Sequence, residues 1–157
     1  MSAHPNLNNH IIKHDINKGP IYLYCIPRND MATMCAGRMA AQVSHASTKM
    51  VFDILNTSKN ERFKELLDVW QKEAGGFGTT IVLKPITENQ ESELRDLILA
   101  VRDSKEGHDI FTGIVIDPEY YVPDGSFYHR MTNVMTCVFL FGYKEDIKKF
   151  VGDYPLY

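Results

Sequence analysis

The chain is predicted to adopt an α/β fold, a single four-stranded mixed sheet flanked by helices on both faces, and three observations carry that expectation. Short runs rich in β-branched and aromatic residues recur at 21–26, 79–84, 111–116 and 134–141. Apolar residues at helical spacing fill the intervals before the second and third of these runs. The last two runs follow one another without a helix between them, which calls for an antiparallel neighbour in a sheet otherwise joined through helices. The expected order is β-α-α-β-α-β-β-α.

Ile21-Tyr22-Leu23-Tyr24-Cys25-Ile26 is a continuous apolar and aromatic run, the pattern of a strand covered on both faces, and Pro27 is expected to stop it. The helix expected from Gly37 to Leu55 has Met39, Val43, Ala46, Met50 and Ile54 on one stripe and Arg38, Gln42 and His45 on another. The first stripe is expected to enter the core and the second to face a ligand. A loop that leads from a strand into a helix N-terminus also offers free N–H groups to an anion.

A second helix is expected over 60–74, with Phe63, Leu66, Leu67 and Trp70 buried, and Gly75-Gly76-Phe77-Gly78 as its cap and turn. After the second strand, Thr87 and Gln90 have the spacing of a capping box for a helix that buries Leu94, Leu97, Ile98 and Val101. The third strand is expected to end at Asp117-Pro118, which puts an acidic side chain where α/β proteins commonly hold ligands, or else starts a turn. The aromatic segment 119–133 reads either as a loop that stacks on unpaired bases or as a hairpin-like cover over the core. A short helix over 144–150 closes the chain.

At 157 residues, with 44% hydrophobic residues, the chain fits one domain. Its expected bounds are 20–157, preceded by a polar arm over 1–19. No apolar run approaches the ~20 residues that span a bilayer, and Met1 to Asn17 lacks the apolar core of a secretory signal, so a cytoplasmic protein without membrane association is expected. Cys25, Cys35 and Cys137 form no C-x-x-C pair and are expected as reduced thiols. His4, His10 and His14 are too loosely spaced, without matching Cys or carboxylates, to predict a metal.

The net charge of −3 argues against a generally basic nucleic-acid coat. It is unevenly placed: residues 1–50 hold five cations against Asp15 and Asp30, a balance of +3 that leaves −6 for the rest. A local cationic face toward phosphate is compatible with this, and so is ordinary solvated surface.

The run Pro27-Arg28-Asn29-Asp30 through Met34-Cys35-Ala36-Gly37-Arg38-Met39-Ala40-Ala41-Gln42-Val43-Ser44-His45-Ala46 resembles the opening of the type II, archaeal and eukaryotic-type, peptidyl-tRNA hydrolases. In that family an Arg-x-Asp loop leads into Met-Gly-Lys-Gly-Lys and then Ala-Ala-Gln, two small residues and His-Ala. Asp117 after Ile114-Val115-Ile116 resembles the family's aspartate, and Leu156-Tyr157 its ending.

The resemblance implies hydrolysis of the ester between a peptidyl or aminoacyl group and the 3′ ribose of tRNA, with no metal or organic cofactor. It places Arg38, His45 and Asp117 as catalytic residues. Gln42, Tyr121, Thr136, Arg28 and Gly37 become the candidate substrate-binding residues, and tRNA the partner, with a homodimer left open. The chain also departs from the pattern. Ala36 and Arg38 stand where the family has lysines, and Tyr121 offers the nearest counterpart to a family threonine hydroxyl. The segment 126–133 is an insertion. Because an arginine does not readily give up a proton, Arg38 keeps only a charge-stabilising role. The alternative is a module of the same fold that binds tRNA or a protein without catalysis.

Overall fold

The computed structural model describes Asp15 and residues 18–57 and 61–157; the candidate ligands His4, His10 and His14, most of the arm and the first residue expected in the second helix lie outside these. Eight elements follow in the expected order: β1 (Ile21–Pro27), α1 (Ala36–Asn56), α2 (Glu61–Lys72), β2 (Thr79–Val82), α3 (Gln90–Asp103), β3 (Phe111–Asp124), β4 (Phe127–Tyr143) and α4 (Lys144–Val151). The strands lie in the order β2-β1-β4-β3. β1 and β2 are parallel, whereas β4 runs antiparallel to both β1 and β3, so the sheet is mixed.

The alternation of side chains along β1 builds two cores, because successive residues of a strand point to opposite faces. Ile21, Leu23 and Cys25 meet Ala46, Met50 and Ile54 of α1 and Phe63, Leu66, Leu67 and Trp70 of α2. Tyr22, Tyr24 and Ile26 meet Leu94, Leu97, Ile98 and Val101 of α3 and Ile147 and Val151 of α4. Covered on both sides, β1 can be the continuous apolar run that the sequence contains. Trp70 is a core residue. Its indole N–H donates to the Thr79 carbonyl at 3.0 Å, and its ring meets Phe141 edge-on at 5.8 Å. Gly78 makes the turn below it with φ +70, where an added Cβ would lie 2.2 Å from the indole.

Three elements differ from expectation. The capping residue of α3 is Asn89, whose side chain accepts from the Ser92 N–H, and not Thr87. Thr87 is instead held by Glu93, which accepts from both its N–H and its hydroxyl. The third strand does not stop at Asp117-Pro118 but continues to Asp124, and β4 begins at Phe127 and not at 134. β3 is an outer strand of the sheet, and such a strand tolerates the missing N–H of Pro118. The aromatic segment is therefore a hairpin arm, paired from Glu119↔Thr132 to Asp124↔Phe127 and turned at Gly125, φ +57. Phe127 and Tyr128 at its tip are 77% and 71% exposed, so the tip is no cover over the core.

One irregularity bears on the site. Val115 pairs with Cys137, yet Ile116 pairs with Met135, so Thr136 is an extra residue in β4 without an opposite number. Met135 and Val138 enter the α3 core and Cys137 the α1 core. The bulge directs Thr136 to the α1 side as well.

Candidate active site

The site is built where α1 crosses the bulged ends of β3 and β4. On α1, Arg38, Gln42, His45 and Lys49 succeed one another at four, three and four residues, so they form one stripe along the helix. Gln42 is not on a solvent face, as its place on the polar stripe suggested; it is 5% exposed. Thr136, fully buried by the bulge, donates its hydroxyl to Gln42 Oε1 at 2.6 Å. That bond fixes the amide orientation, and Gln42 Nε2 then donates to Asp117 Oδ2 at 3.2 Å. The other carboxylate oxygen of Asp117 accepts from the Glu119 N–H at 3.0 Å. A buried amide left without partners would cost about 1–3 kcal/mol, so the chain Thr136, Gln42, Asp117 satisfies itself while it holds the carboxylate in one place.

Two connected lobes of one cleft meet at this carboxylate. The smaller, about 290 Å³, is lined by Arg38, Gln42, His45, Asp117, Glu119 and Tyr121 among others. The larger, about 580 Å³, shares Gln42, His45 and Asp117 and extends past Lys49 and Ile116. No hydrogen bond or ion pair ties the His45 ring to another described residue, and the ring is exposed to the cleft. Arg38 is held more firmly. Its Nη1 donates to the Thr33 hydroxyl at 2.6 Å and to the Tyr121 carbonyl at 3.1 Å, and its guanidinium lies 5.2 Å from the centre of the Tyr120 ring. The arrangement offers a fixed carboxylate, an unengaged imidazole and a positioned cation around one space.

Residues 21–157 match the family model described as Peptidyl-tRNA hydrolase PTH2. The chain belongs to this family. Comparison with curated proteins gave no match. Membership supports a peptidyl-tRNA hydrolase-like function at the level of the family and a link to translation.

Set against the family resemblance, Arg38, Gln42, His45, Asp117, Thr136 and Tyr121 are brought together. Five of them line the cleft directly, and Thr136 reaches it through Gln42. Tyr121 does so in an unexpected manner: its carbonyl holds Arg38, while its hydroxyl donates to Glu119 at 3.1 Å and not to Asp117. Arg28 stands apart. Its guanidinium is taken up by Asp30 at 2.9 Å, Glu91 at 2.9 Å and the Met135 carbonyl at 3.1 Å, and it borders a separate depression of about 410 Å³. Gly37 lies exposed in the first turn of α1 with open space where a Cβ would be.

Sequence reasoning missed Thr33 and Lys49, and reached Tyr120 only as one ring of the aromatic segment 119–133. Thr33 lies five residues before Arg38 in a loop that is positioned from elsewhere: Gln90 Oε1 accepts from the N–H groups of Asn29 at 2.7 Å and Asp30 at 3.2 Å. No local pattern announces such a contact. Lys49 was legible as the next member of the Arg38, Gln42, His45 stripe. Among the described residues no three His, Cys, Asp or Glu side chains gather as a metal site, and no helix is long and apolar enough to cross a membrane.

Proposed function

We propose that the protein hydrolyses the ester between a peptidyl group and the 3′ ribose of tRNA in this cleft, and that it does so in the cytoplasm. The observation that carries the reading is the Asp117 carboxylate, held by the Thr136–Gln42 relay on one wall of a cleft whose other wall presents His45 and Arg38. Each Asp117 oxygen takes one hydrogen bond from the protein, which leaves lone pairs to hold a water in the cleft.

In the proposed reaction that water attacks the ester carbonyl carbon, and His45 takes its proton. Charge builds on the carbonyl oxygen, and Arg38 stabilises it without giving up a proton. The bond from carbonyl carbon to ribose oxygen then breaks, and His45 returns the proton to the departing 3′ oxygen. Thr136 and Gln42 act through Asp117 as positioning residues.

A second reading, a tRNA-binding module without turnover, is favoured by one observation: Arg38 Nη1 is already engaged by the Thr33 hydroxyl and the Tyr121 carbonyl. Incubating the purified full chain with N-acetyl-phenylalanyl-tRNA separates the two. Release of N-acetyl-phenylalanine is expected. Salt-sensitive tRNA binding without release would favour the second reading.

A further inference from the structure

The two lobes of the cleft differ in chemistry, and an ester of tRNA is equally two-sided. From its carbonyl one substituent is a polyanionic ribose-phosphate chain and the other a peptidyl chain without backbone charge. The smaller lobe is polar, lined by Arg38, Asp117 and Glu119. The larger is walled by Ile114, Val115, Ile116 and Pro118, and its one cation, Lys49, is already paired with Asp53 at 2.8 Å. Phosphate gains little there, whereas apolar side chains gain by leaving water.

We propose that the larger lobe binds the peptidyl chain of the substrate, laid along the outer edge of β3 between that strand and the His45–Lys49 stretch of α1. This rests on the ester-hydrolysis reading above. β3 is an outer strand, and no strand or side chain among the described residues pairs with its outer edge at Ile114–Ile116. Farther along, the strand satisfies itself, since Asp117 takes the Glu119 N–H and Arg38 takes the Tyr121 carbonyl. The open stretch of edge thus coincides with the apolar lobe and stops at the reacting carboxylate. An extended peptide adds to such an edge through main-chain hydrogen bonds, which do not depend on its sequence, and seats alternate side chains on the apolar wall. A hydrolase that must accept peptides of any sequence gains generality from this mode. Ile116, 42% exposed, is part of the apolar wall beside Asp117.

Two substrates that differ only in acyl chain test the assignment: N-acetyl-phenylalanyl-tRNA and N-acetyl-valyl-valyl-phenylalanyl-tRNA. For the full-length protein, kcat/KM is expected to favour the longer chain by about tenfold, the equivalent of one well-buried side chain. Ile116→Arg, which puts a charge on the wall, and Lys49→Trp, which narrows the groove from the helix side, are each expected to abolish that ratio. A ratio near one for the wild type, or a ratio unaltered in both variants, would overturn the proposal. If neither ester is cleaved, the ester-hydrolysis reading fails by itself, and the groove is then judged by titrating N-acetyl-valyl-valyl-phenylalaninamide into the labelled protein. Amide shifts confined to residues 42–49 and 112–118 uphold the groove; shifts elsewhere, or none, overturn it.

Discussion

Thr136 reaches Gln42 at 2.6 Å only because β4 carries one residue more than β3 at that point. In a regular ladder consecutive residues face opposite sides, and Thr136 and Cys137 could not both face α1. The bulge supplies the hydroxyl that sets the Gln42 amide, and the amide in turn restrains Asp117. A local defect of pairing is thus what connects the sheet to the chemistry of the cleft.

Removing that hydroxyl alone measures the relay. Thr136→Val keeps the shape but leaves Gln42 Oε1 buried without its donor, and a loss of about 1–3 kcal/mol in urea-induced unfolding is expected. Thr136→Ser restores the hydroxyl and is expected to recover most of that loss. Equal losses in the two variants would show that the methyl, and not the hydrogen bond, carries the stability.

Cys35 should be the one reactive thiol of the folded protein. It is the N-cap residue of α1 in an exposed position, where the backbone N–H of Arg38 favours the thiolate most, against opposing desolvation, with help from the Gly37 N–H and the Arg38 charge; its pKa lies below the ordinary thiol value. Burial pushes the Cys137 thiol well above that value, beside Cys25. Alkylation followed against pH is expected to show one fast thiol, with its inflection lower than that of free cysteine and absent in Cys35→Ser. Arg38→Ala should move the inflection up only slightly, since the backbone N–H groups remain.

Glu93 ties the start of α3 to the segment before it. Burial alone would raise its carboxyl, but the N–H groups of Ile86 and Thr87, then the hydroxyls of Thr87 and Tyr154, outweigh this and hold it below the usual carboxylate value. A depressed folded-state pKa contributes stability that is present above the unfolded value and is lost as pH falls through the folded one. Glu93→Gln is therefore expected to unfold more easily near pH 7, by about 1 kcal/mol, with the difference from wild type shrinking below about pH 4. A difference independent of pH would contradict this.

The sequence made the two-layer core legible because β1 alternates and the helices carry continuous apolar stripes: Leu23 and Tyr24 face different helices, as expected of a covered strand. The Arg38, Gln42, His45 stripe was legible as a spacing, but the burial of Gln42 was not. A polar residue satisfied by a partner 94 positions away carries no local sign of it. Asp117-Pro118 read as a stop because proline cannot donate in a ladder, a rule that the outer position of β3 relaxes. With the strand end placed there, the segment 119–133 reads as a loop or a hairpin-like cover, whereas it is a paired arm that continues both strands. The loop motif marks Arg28 as a candidate ligand for substrate, whereas Glu91, 63 residues on, holds it.

The proposed hydrolysis turns on Asp117. Hydrolysis of N-acetyl-phenylalanyl-tRNA by the wild type and by Asp117→Asn, with tRNA binding and thermal unfolding measured on the same preparations, tests it most directly. Turnover by the wild type and a loss of about 100-fold or more in kcat for Asp117→Asn, with binding and fold retained, is the expected result. Undiminished turnover in Asp117→Asn would contradict the assignment.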